Sequence, residues 1–160
     1  MSILAIDPGQ TQSAWVWWDE VLQRPAQMGI RDNNEILGFL HSPEIVAIEM
    51  VASYGMPVGK EVFETVFWIG RFFQRFYELS LPRKYSCPKL VYRKDIKLHF
   101  CNSVRARDSN IRQVLIDRYG KPGTKKNKGI LYGVKKDIWS AVAIAVYVQD
   151  KLREGERTRD

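Results

Sequence analysis

The chain has 160 residues and a mass of 18.6 kDa, a length that suits one domain built around one packed core. Hydrophobic residues make up 45% and charged residues 27% of it, which excludes a wholly disordered chain. The net charge of +7 is unevenly spread: residues 1–70 carry three basic and nine acidic residues, whereas residues 71–136 carry eighteen basic and four acidic. The basic region is either a solvated face or a surface for a polyanion, and the tyrosines and short glycine-containing loops among the bases favour the polyanion.

The cysteines and the apolar runs exclude several classes of protein. Cys87 and Cys101 are too few for a disulfide framework, and together with the two histidines they lack the spacing of a structural zinc site, so carboxylates are the expected ligands of any metal. Residues 7–9 interrupt the N-terminal apolar run, so we expect no secretory signal. The longest later run, residues 141–148, is far below the roughly 20 residues that a bilayer requires. We expect a cytoplasmic protein in a reducing compartment.

The first third of the chain predicts a sheet. Three β-rich runs with short connections, at residues 2–7, 13–18 and 26–30, predict an antiparallel meander. A helix is expected over residues 32–41, which start with an N-cap residue and carry apolar residues at helical spacing. The apolar, β-branched run at residues 44–50 then predicts a buried strand that is parallel to its neighbour.

The rest of the chain predicts mainly helices. Apolar residues recur at helical spacing over residues 59–79, on a face so wide that it indicates either deeper core or, as a second interpretation, a dimer interface. The remaining expected elements are a strand at 84–92, helices at 94–100 and 109–119, a basic loop at 121–133, a last helix at 137–152 and a disordered tail at 153–160. This order predicts a single α/β domain over residues 1–152, with a mixed five-stranded sheet flanked by helices.

Three carboxylates are the candidates for chemistry. Asp7 ends the first strand, where an Asp before Pro-Gly is commonly a turn residue, and Asp137 starts the last helix, where an acid is favoured by the helix dipole. Glu49 lies in an otherwise apolar strand, and an unpaired buried carboxylate costs several kcal/mol. If the three converge, they need a cation. Oxygen ligands with open water sites suit Mg²⁺ or Mn²⁺, and two such ions about 4 Å apart can activate water against a phosphodiester.

The three acids stand in motifs that resemble a known family. The opening LAIDPG with Asp7, the strand VAIEM with Glu49 and the helix KKDIWSAVAIAVY with Asp137 resemble, in order and over nearly the whole chain, the acidic motifs of the RuvC-type Holliday-junction resolvases. That family belongs to the RNase H-like superfamily, and the small size of this chain is more similar to the bacteriophage branch. The resemblance implies an RNase H-like fold and a homodimeric Mg²⁺- or Mn²⁺-dependent endonuclease, with about two ions per site, that hydrolyses four-way DNA junctions.

One position departs from the family pattern. Ser140 stands where bacterial members usually carry a second acid on the last helix. Three explanations stay open: the hydroxyl of Ser140 holds a metal-bound water in a three-acid site, metal affinity is weakened, or the residue at this position was altered.

The resemblance also implies residues that contact DNA. Residues 50–60 correspond to the region from which the family inserts an apolar or aromatic side chain into the junction, and an inserted side chain of this kind unstacks bases. Several basic residues later in the chain match positions at which the family contacts phosphate, although Asp108 stands where one of these basic residues is expected. The candidates are Tyr54, Met56, Lys60, Arg71, Lys97, Arg105, Arg107, Lys125, Lys126 and Lys128.

Three alternatives accompany this interpretation. One is a nuclease of the same fold that acts on flaps, forks or RNA–DNA hybrids, and another is a protein that binds branched DNA without cutting it, which Ser140 favours. An actin-like nucleotide-binding fold also opens with an Asp-x-Gly turn, but the chain is too short for two lobes. For a phage protein, the compartment is the cytoplasm of the host cell.

Overall fold

A computed structural model describes residues 1–41, 43–81 and 87–157 of the chain. It contains one five-stranded mixed sheet with the strand order β3-β2-β1-β4-β5. The strands are β1 (Ser2–Asp7), β2 (Gln12–Asp19), β3 (Arg24–Asp32), β4 (Ile45–Met50) and β5 (Lys89–Tyr92). β1, β2 and β3 pair antiparallel, whereas β4 runs parallel to β1 and β5 parallel to β4. The predicted meander, the buried parallel strand and the mixed five-stranded sheet are confirmed.

Five helices lie on the two faces of this sheet. They are α1 (Asn33–Leu37), α2 (Lys60–Ser80), α3 (Arg93–Cys101), α4 (Asp108–Tyr119) and α5 (Ile138–Arg157). No helix in these described ranges is long and apolar enough to cross a membrane. Cys87 and Cys101 are both free thiols.

Two of the predicted helix ends are wrong. α1 ends at Leu37 and not at residue 41, because the guanidinium of Arg75 on α2 donates to the carbonyl oxygens of Leu37 and Phe39, at 3.1 and 3.4 Å. These carbonyls are satisfied without a further helical turn. α5 continues to Arg157, so the expected disorder is wrong for residues 153–157, and Arg153 donates to the carbonyl of Glu20 at 3.2 Å. Residues 158–160 lie outside the described ranges.

The predicted strand at 84–92 is shorter in the structure. β5 begins at Lys89, and residues 84–86 lie outside the described ranges. The basic loop is irregular, as predicted, but backbone hydrogen bonds organise it: the N–H of Gly129 donates to the carbonyl of Pro122 at 2.9 Å. Leu131, near its end, is fully buried, so the loop is anchored to the core.

Hydrophobic packing forms one core on each face of the sheet. α5 packs its small residues Ala141 and Ala145 with Ile144 against one face, where Ile3 and Ala5 of β1 lie. The other face packs against α2. Because side chains alternate along a strand, neighbouring residues of β1 and β4 contribute to different cores.

α2 carries apolar residues on its outer side as well as on the side that faces the sheet. Ile69, Phe72 and Phe76 are buried against the sheet, which agrees with the core interpretation of its wide apolar face. Phe63 and Phe67, on the outer side, are 65% and 63% exposed. The helix therefore carries an apolar outer stripe that no residue in the described part of the chain covers.

Candidate active site

The strand register brings the first two carboxylates together. β1 and β4 are neighbours in parallel register, with Ile6 opposite Ile48, and Asp7 and Glu49 are the next residues along each strand. Ala5 and Ala47, two residues earlier, both lie in the α5 core. Alternation therefore turns Asp7 and Glu49 toward the same face, on which α5 lies.

A polar network fixes the chain just after Asp7. The hydroxyl of Ser13 donates to Asn33 at 2.6 Å and accepts from the N–H of Gly9 at 3.1 Å, while the amide of Asn33 donates to the carbonyl of Gly9 at 3.0 Å. Ser13 and Asn33 are buried. A Cβ on Gly9 would lie 2.4 Å from the carbonyl oxygen of Gln12, so the turn has no room for a side chain at this position. Sequence reasoning identified the turn but missed Ser13 and Asn33.

The start of α5 supplies the third acid and a hydroxyl. α5 begins at Ile138, one residue later than predicted, and the carbonyl of Asp137 accepts from the N–H groups of Ser140 and Ala141 at 3.0 and 3.2 Å. The side chain of Asp137 is exposed, whereas Ser140 is half-buried and its hydroxyl is close enough to Asp7 to lower the pKa of that carboxyl. Ser140 therefore lies among the acidic side chains of the site.

The site also contains an arginine that sequence reasoning did not single out. Arg93, the first residue of α3, follows β5 at the same end of the sheet. Its Nη1 lies 3.5 Å from Oε2 of Glu49, and its Nη2 lies 2.6 Å from Oδ1 of Asp108 and 3.3 Å from Oγ of Ser140. Only the position of Arg93 directly after a strand next to β4 could have indicated this role, since the contacts join four separate elements.

The electrostatics of the site are those of crowded, buried acids. Burial, with the nearby charges of Glu49 and Asp137, raises the pKa of Asp7 to about 7, although Arg93 and Ser140 act in the opposite direction. Burial also raises the pKa of Glu49, against the charge of Arg93. Arg93 itself stays charged: burial alone would lower its pKa, but the charges of Glu49 and Asp108 outweigh it.

The donor chemistry of the site suits a hard divalent cation. Oε2 of Glu49 is buried and has no hydrogen-bond partner among the described residues, and burial together with the charge of Glu49 raises the pKa of Asp7, so a cation would stabilise both ionised acids. Carboxylate and hydroxyl oxygens are ligands of Mg²⁺ and Mn²⁺. As the side chains stand, however, no three His, Cys, Asp or Glu groups in the described ranges are close enough to hold one ion.

A cationic cavity adjoins the acids. It has a volume of about 350 Å³ and is lined by Tyr54, Arg93, Lys94, Lys97 and Val104. Two of the predicted DNA-contacting residues, Tyr54 and Lys97, therefore lie beside the carboxylates. Tyr54 is 62% exposed and adopts a left-handed backbone conformation in the turn after β4.

The other predicted DNA-contacting residues lie farther out. Met56 is 72% exposed in the same turn as Tyr54, and Arg105 and Arg107 are exposed between α3 and α4. On α2, Lys60 forms an exposed pair with Glu64. Arg71, also on α2, stacks on Trp68 with 4.3 Å between the guanidinium carbon and the ring centre.

The lysine loop lies near the end of the sheet opposite to the carboxylates. Lys125, Lys126 and Lys128 are all exposed, and Lys128 lines a shallow cavity with Asp19 and Arg24, which form the far end of β2 and β3. Asp19 is five residues along β2 from the partner of Asp7, a distance of about 17 Å. The loop is therefore not brought together with the carboxylates.

Comparisons with known proteins identify the fold. No protein-family model and no curated protein matches the sequence. A structure of Thermus thermophilus RuvC matches with a TM-score of 0.66 and 14% identity, over 97% of each chain. The structure of T. thermophilus RuvC in complex with a Holliday junction substrate matches with a TM-score of 0.66 and 15% identity, over 97% of this chain and 96% of that one. The predicted RNase H-like architecture is thereby confirmed as the fold of this chain.

Proposed function

We propose that this protein is a divalent-metal-dependent endonuclease that resolves four-way DNA junctions. The observation that carries the proposal is the meeting of Asp7, Glu49 and the start of α5 at one end of a sheet with the RuvC fold. A RuvC structure of this fold holds a Holliday junction. The basic region of residues 71–136, together with the cationic cavity beside the acids, supplies a surface for a branched polyanion.

Each residue of the site has a definite task in this proposal. Asp7, Glu49 and Asp137 would hold Mg²⁺ or Mn²⁺, with two ions per site. Bound there, the metal polarises the attacking water and stabilises the leaving 3′ oxygen of the phosphodiester. The hydroxyl of Ser140, which accepts from Arg93 at 3.3 Å and lowers the pKa of Asp7, helps to keep that carboxylate ionised. Lys97 contacts the DNA backbone at the cationic cavity.

In the proposed function, the exposed turn after β4 makes the protein prefer branch points to linear duplex. Tyr54 and Met56 project from this turn and are 62% and 72% exposed. An apolar or aromatic side chain inserted between bases unstacks them at a cost of a few kcal/mol, and an open branch point lowers that cost. We therefore assign these two side chains to the centre of the junction.

A homodimer is part of the proposal. Paired nicks on opposing strands need two sites related by a twofold axis, and such an interface is formed by the same surface of both copies. The outer stripe of α2 offers such an interface, since Phe63 and Phe67 are exposed and Val66 beside them is 37% exposed. We propose that the protein acts in the cytoplasm, or in the cytoplasm of the host cell in the case of a phage protein.

The test is a gel assay with a synthetic immobile four-way junction and its matching linear duplex. The protein is incubated with each DNA in Mg²⁺, Mn²⁺, Ca²⁺ or EDTA. We expect paired nicks near the branch point in Mg²⁺ or Mn²⁺, no cleavage in EDTA and an intact duplex. Equal cleavage of flaps, forks or RNA–DNA hybrids would replace the resolvase with a broader nuclease of the same fold.

A second function is favoured by two observations. Within the described residues no three metal-ligating groups stand together, and Arg93 already contacts Glu49. Both features suit a protein that binds junctions without cutting them. Tight junction binding with no cleavage in any of the metals would establish that function and exclude the nuclease.

A further inference from the structure

We propose that Arg93 is an internal counterion of the carboxylate site: a divalent cation displaces it from Glu49, after which it binds a phosphate oxygen of the DNA. The DNA-binding part of this inference rests on the proposed function. The displacement concerns the protein and the cation alone.

The two ion pairs of Arg93 are unequal. Nη2 lies 2.6 Å from Oδ1 of Asp108, a short charge-assisted hydrogen bond. Nη1 lies 3.5 Å from Oε2 of Glu49, a separation at which neither atom is satisfied by a hydrogen bond. Asp108 therefore gives Arg93 a hydrogen bond that Glu49 does not, and the ion pair with Glu49 is the one that a cation at Oε2 would replace.

The loose ion pair leaves two buried atoms in need of a better partner. Nη1 of Arg93 and Oε2 of Glu49 both lack a hydrogen-bond partner among the described residues. Buried polar groups in this condition are costly, and they are rare in native proteins. A divalent cation at Oε2 and an anionic oxygen at Nη1 would satisfy both atoms at once.

The space beside Arg93 identifies the second partner. Arg93 lines the 350 Å³ cavity together with Lys94 and Lys97, so three cations surround one opening. Tyr54, also in the lining, offers a ring for a sugar or a base. A phosphodiester has this combination of one negative charge and a flat or apolar remainder.

The exchange keeps Glu49 compensated at every stage. Before the cation binds, the guanidinium of Arg93, 3.5 Å from Oε2, partly balances the charge of Glu49. After it binds, the cation takes over that task and Arg93 becomes free to meet the substrate. Asp108 stays bonded to Nη2 throughout and keeps the guanidinium at the cavity.

The first experiment measures Mn²⁺ binding to the DNA-free protein by isothermal titration calorimetry. We expect Arg93→Gln to tighten Mn²⁺ binding about threefold to tenfold, because a competing ion pair is removed. Arg93→Lys should show a smaller change. Lys151→Gln, which removes an equal charge from an exposed pair at the far end of α5, is the control and should bind Mn²⁺ like the wild type. Unchanged or weaker Mn²⁺ binding by a folded Arg93→Gln variant overturns the proposal.

The second experiment measures the affinity for a four-way junction in Ca²⁺ and in EDTA. Arg93→Gln should weaken binding about tenfold in Ca²⁺, since one charge-assisted hydrogen bond to phosphate is removed, and leave binding in EDTA unchanged. An equal weakening in both conditions would mean a structural role and overturn the proposal.

The two proposals fail separately. If the wild type cleaves junctions and Arg93→Gln leaves Mn²⁺ affinity unchanged, the counterion role is wrong and the nuclease stands. If the wild type cleaves nothing but Arg93→Gln tightens Mn²⁺ binding, the counterion role stands and the nuclease is wrong.

Discussion

Asp7 is a costly residue in this fold. It lies half-buried beside Glu49, and its pKa is raised to about 7 by burial and by that neighbouring charge. A group that is harder to ionise in the folded state than in the unfolded state lowers stability as the pH rises between the two pKa values, here from about 4 to about 7. Asp7 therefore contributes nothing to stability at neutral pH that would explain its position, which supports the role in the proposed function.

Replacing either buried acid separates cleavage from binding. Under the proposed function, Asp7→Asn and Glu49→Gln should each lower junction cleavage at least about 10³-fold, because each variant lacks one of the proposed metal ligands. Both variants should bind the junction about as tightly as the wild type and melt at the same or a higher temperature. The measurements are cleavage rate, gel-shift affinity and thermal melting.

Asp19→Asn is the matched control for these variants. Asp19 lies at the far end of β2, where it caps a turn, and Asn retains that acceptor. Its cleavage rate should equal that of the wild type. Turnover that persists in Asp7→Asn or Glu49→Gln would remove that acid from the site.

At the scale of elements, one acid ties three helices together. Asp150 on α5 accepts from His99 on α3 at 2.8 Å and from both terminal nitrogens of Arg118 on α4 at 2.7 and 2.8 Å. Burial acts to raise the pKa of Asp150, but these hydrogen bonds outweigh it and hold the pKa well below its ordinary value. The ionised acid therefore stabilises the packing of α3 and α4 on α5.

This network predicts a pH-dependent stability. Because the folded pKa of Asp150 is depressed, its stabilisation is complete above the unfolded pKa and disappears as the pH falls through about 4 and below. Asp150→Asn should lower the free energy of unfolding by about 1–3 kcal/mol at pH 7, with a smaller difference at pH 3. Urea unfolding at both pH values measures it, and a difference that does not shrink on acidification would contradict the assignment.

Some elements are determined by the local sequence pattern and others by contacts with residues far away in the chain. β1, β4 and α2 follow the sequence pattern closely, because apolar periodicity and turn residues determine them. The end of α1 could not be predicted, since its carbonyls are satisfied by Arg75, which lies 38 residues further along the chain. In the same way the acids of the site were predicted from their motifs, whereas Arg93 is recognised only once β5, α3 and α4 are packed around it.

At the scale of the whole molecule, the lysine loop and the carboxylates lie at opposite ends of the sheet. We therefore expect the loop to hold a duplex arm away from the cleavage point. Replacing Lys125, Lys126 and Lys128 together with Gln should leave the position of cleavage unchanged. The salt dependence of junction binding should become shallower, by about 0.9 in log–log slope for each phosphate that the loop no longer neutralises. A slope equal to that of the wild type would show that the loop does not bind phosphate.

The outer stripe of α2 predicts the assembly state. Phe67→Asp places a charge in the middle of the stripe and should convert a dimer, with twice the 18.6 kDa chain mass, into a monomer. Light scattering after size exclusion measures this mass. Val21→Asp, at a position that is 77% exposed in the β2–β3 turn, is the control and should remain dimeric. A wild type that is already monomeric would place the second active site elsewhere.

The sequence separation of the contacts that α5 makes has a consequence for the order of folding. The hydrogen bond between Trp18 and Gln149 spans 131 residues, and the three candidate acids come from positions 7, 49 and 137. The antiparallel pairings of β1 with β2 and of β2 with β3 are local, so they can form early in folding. The contacts of α5 with the sheet close much longer loops and form later. The acids are therefore brought together late, after the strand that carries Asp7 is already paired.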